Sequence, residues 1–264
     1  MVCRQQIHSR QDGQVLPRVG PTFDLDAAID AHEATMGYAV RLWETSSTQS
    51  VARTALALLV HDAVCLHRAI LVLGGAGWAF ATPILARAML DLSHSAQVIV
   101  HAPQPDVAAF EWLYAFAKDE IYRSSPDVQK AIAAALAQMN PTHRKQAEAF
   151  LASPKIGAYW YSKRFKSPRA IIRAFGTGAL QETWKFLSSS AHGGYMGMRL
   201  FRLDPFHLDI NPREDASKAA MGIIQSIKLL NDLLRTWERF VGGQGPEYAT
   251  IKKLIIKAMA LKPI

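Results

Sequence analysis

Apolar residues recur at helical spacing through most of this chain, and that spacing limits the possible fold more than any other sequence feature. In the segment from about 213 to 241, large apolar residues return every three or four positions: Ile223, Ile227, Leu230, Leu234 and Trp237. This interval is that of one face of an α-helix. No convincing strand pair, internal repeat or low-complexity tract breaks the pattern. The sequence therefore predicts an all-α fold, a single-domain helical bundle of about eight to ten helices.

Glycine and proline residues divide the chain into its predicted parts. Residues 1–22 are polar and predict a flexible N-terminal tail, and 23–264 predict a helical domain. The expected helices cover approximately 24–45, 49–73, 81–101, 106–123, 127–139, 142–152, 168–175, 179–192, 213–241 and 247–261. In the first helix the large apolar residues lie roughly on one side: Leu25, Ile29, Met36, Val40 and Trp43.

The charge balance points to an acidic partner. The 264 residues carry 30 Lys and Arg against 22 Asp and Glu, a net charge of +8. Such an excess favours RNA or another polyanion as the partner. Two cysteines, Cys3 and Cys65, are too few for a disulfide framework, so we expect a reduced, cytoplasmic setting.

The most apolar stretch, from Ala55 to Ala81, does not have the composition of a membrane span. His61, Asp62, His67 and Arg68 interrupt it. A charge at the bilayer centre is unfavourable by about 2.5–3.5 kcal/mol on insertion scales. The first twenty residues also lack the apolar run of a secretory signal. We therefore predict no transmembrane segment.

A first polar cluster lies inside an otherwise apolar helix. Arg87 and Asp91 are four residues apart and His94 follows three later, so all three lie near one face. One interpretation is an architectural ion pair with a packed histidine. The other is a phosphate or carboxylate site, in which Arg87 supplies a forked donor, Asp91 orients it and His94 moves a proton.

A second polar cluster also has helical spacing. Trp184, Ser188 and His192 step by four along one helix face, and His192 precedes two glycines. The cluster is interpreted either as a helix end with a packed histidine or as the partner of the first cluster across the bundle. The geometric prediction is that the two clusters, Arg87, Asp91 and His94 with Ser188 and His192, meet and form a catalytic site.

Two resemblances involve these residues. The spacing of Arg87 and His94 resembles the R-x(4–6)-H motif of HEPN-type ribonucleases, helical and often dimeric proteins common in toxin and phage-defence systems. That resemblance implies attack on an RNA phosphodiester without a metal, and a homodimer. Several pieces together are similar to an uncharacterised all-helical bacterial domain family: Arg87 with Asp91, 160–163, and Ser188 with His192 and Gly193. This second resemblance spans roughly 50–240 and implies a helical fold with a shared polar site.

A basic segment with interleaved aromatic residues is the predicted nucleic-acid interface. Its candidate contacts are Tyr159, Trp160, Tyr161, Lys163, Arg164, Lys166, Arg169 and Arg173. Aromatic rings can stack on bases while cations follow the phosphates of a single strand. The alternative is a solvated loop whose aromatic rings pack into the core.

The sequence thus predicts a nucleic-acid-acting helical protein, with a metal-independent ribonuclease of stress or phage-defence type as the leading activity. Two alternatives stay open. One is a non-enzymatic module that binds a ligand or a partner protein. The other is a metal-dependent hydrolase using Asp91, His94 and His192. No metal site and no cofactor are predicted, since His61 and Cys65 supply only two of the ligands that zinc needs.

Overall fold

The computed structural model describes residues 25–45, 50–76, 81–153, 160–161, 164–175, 183–185, 187–188, 202–204, 207–208, 216–242 and 246–259. The predicted tail at 1–22 lies outside these residues and stays a prediction. The all-α class is confirmed, and the number of helices lies near the predicted range.

The helices follow the predicted order closely. They are α1 (Leu25–Thr45), α2 (Val51–Gly75), α3 (Ala81–Val100), α4 (Pro105–Tyr114), α5 (Glu120–Arg123), α6 (Pro126–Ala137), α7 (Pro141–Ala152), α8 (Pro168–Phe175), α9 (Ala216–Val241) and α10 (Pro246–Met259). A 3₁₀ turn covers Ala115–Lys118, and residues 183–185 and 187–188 are also helical. Two short antiparallel strands, β1 (Arg202–Asp204) and β2 (His207–Leu208), add five residues and leave the class unchanged.

The predicted helix over 106–123 is interrupted in the structure. α4 ends at Tyr114, the 3₁₀ turn follows, and Asp119 adopts an extended conformation before α5 begins. The Asp119 side chain accepts a hydrogen bond from the backbone of Ile121, which makes it an N-cap inside the predicted helix. A short polar side chain that competes for backbone donors favours such a break.

α2, α3 and α9 pack against one another and form the centre of the fold. The apolar ladder of α9 faces this centre as predicted: Ile223, Ile227, Leu230, Leu234 and Trp237 are all buried. The helices approach closely because two glycines lie at their crossings. A Cβ added at Gly74 would meet Ile223, and one added at Gly222 would meet Thr82, including its backbone.

The outer helices attach to this centre on different sides. α1 packs on α2 and α10, α4 packs on α2 and α7, and α8 packs on α3. The large apolar residues that the sequence places on one side of α1 face outward: Ile29, Met36, Val40 and Trp43 are exposed. α1 buries a different stripe, with Ala27, Ala28, Ala31, Tyr38 and Leu42.

α2 is the described helix that is long and apolar enough to cross a membrane. Length and composition alone are weak evidence, because a core helix passes the same test. Here α2 packs against α1, α3, α4 and α9, and its buried residues include the polar His67. The part of the chain that the structure describes therefore contains no clear transmembrane segment.

Candidate functional site

α3 places the first polar cluster along one side of the bundle. The Arg87 guanidinium forms an ion pair with the Asp91 carboxylate one turn later. The Arg87 side chain is 13% exposed and that of Asp91 is 55% exposed, so the pair lies at the edge of the core. The predicted i,i+4 neighbours therefore form a partly shielded ion pair.

The two predicted polar clusters are in contact. Arg87 Nε donates a hydrogen bond to Ser188 Oγ, with 3.1 Å between the two atoms. Near Ser188, the Arg169 guanidinium lies over the Trp184 ring, 5.7 Å from its centroid. His192 lies outside the described residues, so the predicted role of this residue is untested.

His94 is the most unusual side chain of this region. It is only 3% exposed, and neither ring nitrogen has a hydrogen-bond partner in the part of the chain that the structure describes. Burial, followed by the charge of Arg87, lowers the pKa of His94 to about 4. At neutral pH the imidazole is uncharged, with one nitrogen able to accept a hydrogen bond and the other able to donate one.

A cavity of about 320 Å³ opens beside His94, between α3, α8, α9 and Thr183. Its size is at the lower end of the range of about 300–1,000 Å³ that small-molecule sites occupy. One wall is apolar and contains Ile171, Ile172 and Phe175 from α8. Such a wall, with a buried imidazole nearby, can enclose a small organic molecule.

The opposite wall is polar and held by hydrogen bonds. Gln97 Nε2 donates to Thr236 Oγ1 (2.9 Å), which links α3 to α9. Thr183 Oγ1 donates to Gln225 Oε1 (3.2 Å), which links the residues after α8 to α9. These contacts position the wall before any ligand arrives, and positioning of this kind favours binding.

The charged residues of this cavity come from α9, and sequence reasoning missed them. Lys228, Asp232, Arg235 and Arg239 are exposed and contribute to the lining. Their spacing of four, three and four residues is the signal that was available, since it places them on one helix face. That face lies next to the buried apolar face of α9, and charged residues in such a position are typical of the solvent-exposed side of any amphipathic helix.

The predicted nucleic-acid interface is only partly accessible. Tyr161 is 6% exposed and packs beside Val98 and Ile171, so its ring offers no face to a base in this arrangement. Trp160 packs against the core. Arg164 Nη1 binds Glu111 Oε2 at 2.5 Å.

Three cations of the same segment remain exposed. They are Lys166, Arg169 and Arg173, on α8 and just before it. Tyr159 and Lys163 lie outside the described residues. A role for this segment in binding nucleic acid stays a prediction, which depends on these three side chains.

Possible metal ligands do not cluster in the described ranges. No three His, Cys, Asp or Glu side chains there come together in an arrangement that could hold an ion. The set Asp91, His94 and His192 includes a residue beyond those ranges, so the structure leaves that alternative undecided.

The chain matches no protein-family model, no curated protein and no solved structure. The resemblance to HEPN-type ribonucleases and the similarity to the uncharacterised helical family therefore remain predictions. The function is therefore inferred from the residues of the site itself.

Proposed function

We propose that this protein binds a small organic molecule in the cavity between α3, α8 and α9. The observation that carries the proposal is His94, which lines the cavity and whose two buried ring nitrogens have no hydrogen-bond partner among the described residues. A buried polar group without a hydrogen bond is unfavourable by about 1–3 kcal/mol. A ligand that donates to His94, or accepts from it, removes this penalty on binding.

The proposal corresponds to the ligand-binding alternative rather than to a nuclease. His94 is a buried residue of the cavity lining, whereas the cations Lys166, Arg169 and Arg173 of the basic segment are exposed and absent from that lining. A small molecule can enter the cavity and contact His94, but a polynucleotide backbone would have to leave the surface to do so.

A ligand-observed NMR screen with a mixture of water-soluble fragments tests the proposal. We expect several fragments to bind the wild-type protein and to lose binding in His94→Leu, which keeps the side-chain volume and removes both nitrogens. Arg123→Leu, an exposed change on α5, is the matched control and should leave binding unchanged. Fragments that bind equally well to His94→Leu would show that the cavity is not the site.

Metal-independent cleavage of RNA is the second candidate, favoured by the contact between Arg87 and Ser188 that unites the two predicted clusters. If Lys166, Arg169 and Arg173 each contact a phosphate of a single strand, the slope of log K against log salt is about −2. Affinity for single-stranded RNA then falls roughly twentyfold between about 50 and 200 mM salt. Filter binding at both salt concentrations measures the slope, and gel electrophoresis of the RNA after incubation with the wild type or with Arg87→Gln measures any cleavage. RNA binding that salt does not weaken would remove this candidate.

A further inference from the structure

The charge of the cavity mouth identifies a class of ligand. Three cations of α9, Lys228, Arg235 and Arg239, line the cavity together with one acid, Asp232. Partial desolvation of its carboxyl group raises the pKa of Asp232 although the residue as a whole is exposed, while Arg235 and Lys228 act in the opposite direction, which places this carboxylate among the cations. One acid balances one cation, so the α9 side of the mouth keeps a positive excess and attracts anions.

The cavity is also divided by polarity. The α8 wall, with Ile171, Ile172 and Phe175, is apolar, and the α9 wall carries the charges. His94 belongs to α3 and is buried, whereas Arg235 and Arg239 are exposed. A ligand that satisfies all three regions has an anionic end at the mouth, an apolar body along α8 and a polar group near His94.

We infer that the ligand is a small organic anion, with one phosphate or carboxylate group bound by Arg235 and Arg239 and an apolar or planar body inside the cavity. This inference rests on the proposed function, because it assigns a chemical class to the ligand of the same site. Guanidinium groups suit the inference, since their planar forks match phosphate and carboxylate oxygens.

The test compares each anion with its uncharged counterpart. Titration calorimetry measures adenosine 5′-monophosphate against adenosine, and an aromatic carboxylate, indole-3-acetate, against its amide. The two pairs distinguish a phosphate ligand from a carboxylate ligand. We expect at least one anion to bind ten times or more tightly than its neutral counterpart, with an affinity that decreases as salt increases.

Variants then locate the anion. Arg239→Gln should weaken binding of that anion by about tenfold or more, because a charge-assisted hydrogen bond contributes about 1.5–3 kcal/mol. Arg123→Gln on α5 removes an exposed cation that is absent from the cavity lining, and it should change affinity less than twofold. An equal loss in both variants would indicate a general charge effect and would overturn the inference.

The remaining outcomes separate the inference from the proposed function. If a neutral compound binds as tightly as its anion and His94→Leu removes that binding, the cavity is the site but its ligand is not an anion. If none of the four compounds binds, the inference is overturned, and the fragment screen still decides whether the cavity binds ligands. If an anion binds without any effect of His94→Leu, the assignment to this cavity is wrong.

Discussion

Two buried histidines show how a partner decides the role of a side chain. His67 is 1% exposed, and its Nδ1 lies 2.8 Å from Ser226 Oγ. Ser226 donates its hydroxyl proton to the carbonyl of Ile223, so His67 Nδ1 carries the proton and donates to Ser226. His94 is equally buried but has no such contact in the described chain. The contact with Ser226 gives His67 a structural role, whereas the lack of such a contact at His94 among the described residues is the basis of the proposed ligand site.

This contrast gives a prediction about stability. His94→Leu should leave the free energy of unfolding unchanged or raise it by about 1–2 kcal/mol, because it removes two buried nitrogens that have no partner in the described part of the chain. His67→Leu, the matched control, should lower it by about 1 kcal/mol or more through loss of a buried hydrogen bond. Urea denaturation at pH 7.5 measures both. A large destabilisation by His94→Leu would mean that its imidazole has a structural role.

A second prediction at this scale concerns the crossing of α3 and α9. A Cβ added at Gly222 would lie 2.9 Å from the Thr82 carbonyl carbon, which is backbone and moves only with its helix. Gly222→Ala should therefore destabilise the protein by about 1–3 kcal/mol.

Gly37 in α1 is the control for that substitution. The nearest atom to an added Cβ there is the flexible end of Arg41, at 3.3 Å. Gly37→Ala should stabilise by about 0.5–1 kcal/mol, since alanine is the better helix former. If both variants shift the thermal midpoint in the same direction, close packing at Gly222 does not determine the result.

At the scale of elements, the N-terminus of α2 is held by residues from two parts of the chain. Ser50 Oγ accepts from the backbone N–H of Arg53, at 3.2 Å. Asp106, in the first turn of α4, accepts from the backbone N–H of Ala52, at 2.9 Å. A carboxylate at this end of a helix also interacts favourably with the helix dipole. The contact therefore joins α4 to the central helix.

Asp106→Ala should lower the free energy of unfolding by about 1–2 kcal/mol, because it removes an acceptor from an N-terminal donor of α2. Asp106→Asn keeps an acceptor and removes the charge, so it should recover about half or more of the loss. Denaturation of the two variants in low and high salt separates the hydrogen bond from the charge. Equal losses in both variants would assign the whole effect to the charge.

The elements also show where sequence reasoning succeeds. The buried face of α9 was predicted correctly because one side of the helix is apolar and the other is charged, so only one side can face the core. α1 has apolar residues on both sides, and the stripe that it buries includes Ala27, Ala28 and Ala31. Small residues permit close approach to α2, which periodicity weighted toward large side chains does not anticipate.

At the scale of the whole molecule, the sequence predicts the part of the site where polar residues interrupt an apolar pattern. Arg87, Asp91 and His94 are polar residues in an apolar helix, so the sequence alone marks them. The other side of the cavity comes from α8 and α9, whose contribution depends on how the helices cross. Lys228, Arg235 and Arg239 belong to an ordinary charged stripe of α9, and only the tertiary structure places them around the same cavity as His94.

His67 and His94 also contribute to the response of the whole fold to acid. Burial, followed by the charge of His32, lowers the pKa of His67 to about 3, and the pKa of His94 is about 4. In the unfolded chain both titrate near 6.5. Above pH 6.5 neither the folded nor the unfolded state binds these protons, so the two histidines do not reduce the free energy of unfolding. Below it, the unfolded chain takes up protons that the native state does not, so stability decreases toward the folded-state pKa values.

Two such groups should lower the free energy of unfolding by about 2–3 kcal/mol per pH unit between about pH 5.5 and 4.5, in addition to any effect of carboxylates. Urea denaturation at pH 7.5, 5.5 and 4.5 measures the slope. Carboxylates and His32, whose pKa burial also lowers, contribute to the pH dependence as well, so the control is the double variant His67→Leu, His94→Leu, which retains all of them. Its slope should be shallower than that of the wild type by the stated amount, because neither leucine titrates. Equal slopes in the two proteins would mean that the imidazoles become protonated without unfolding, and that water reaches both of them.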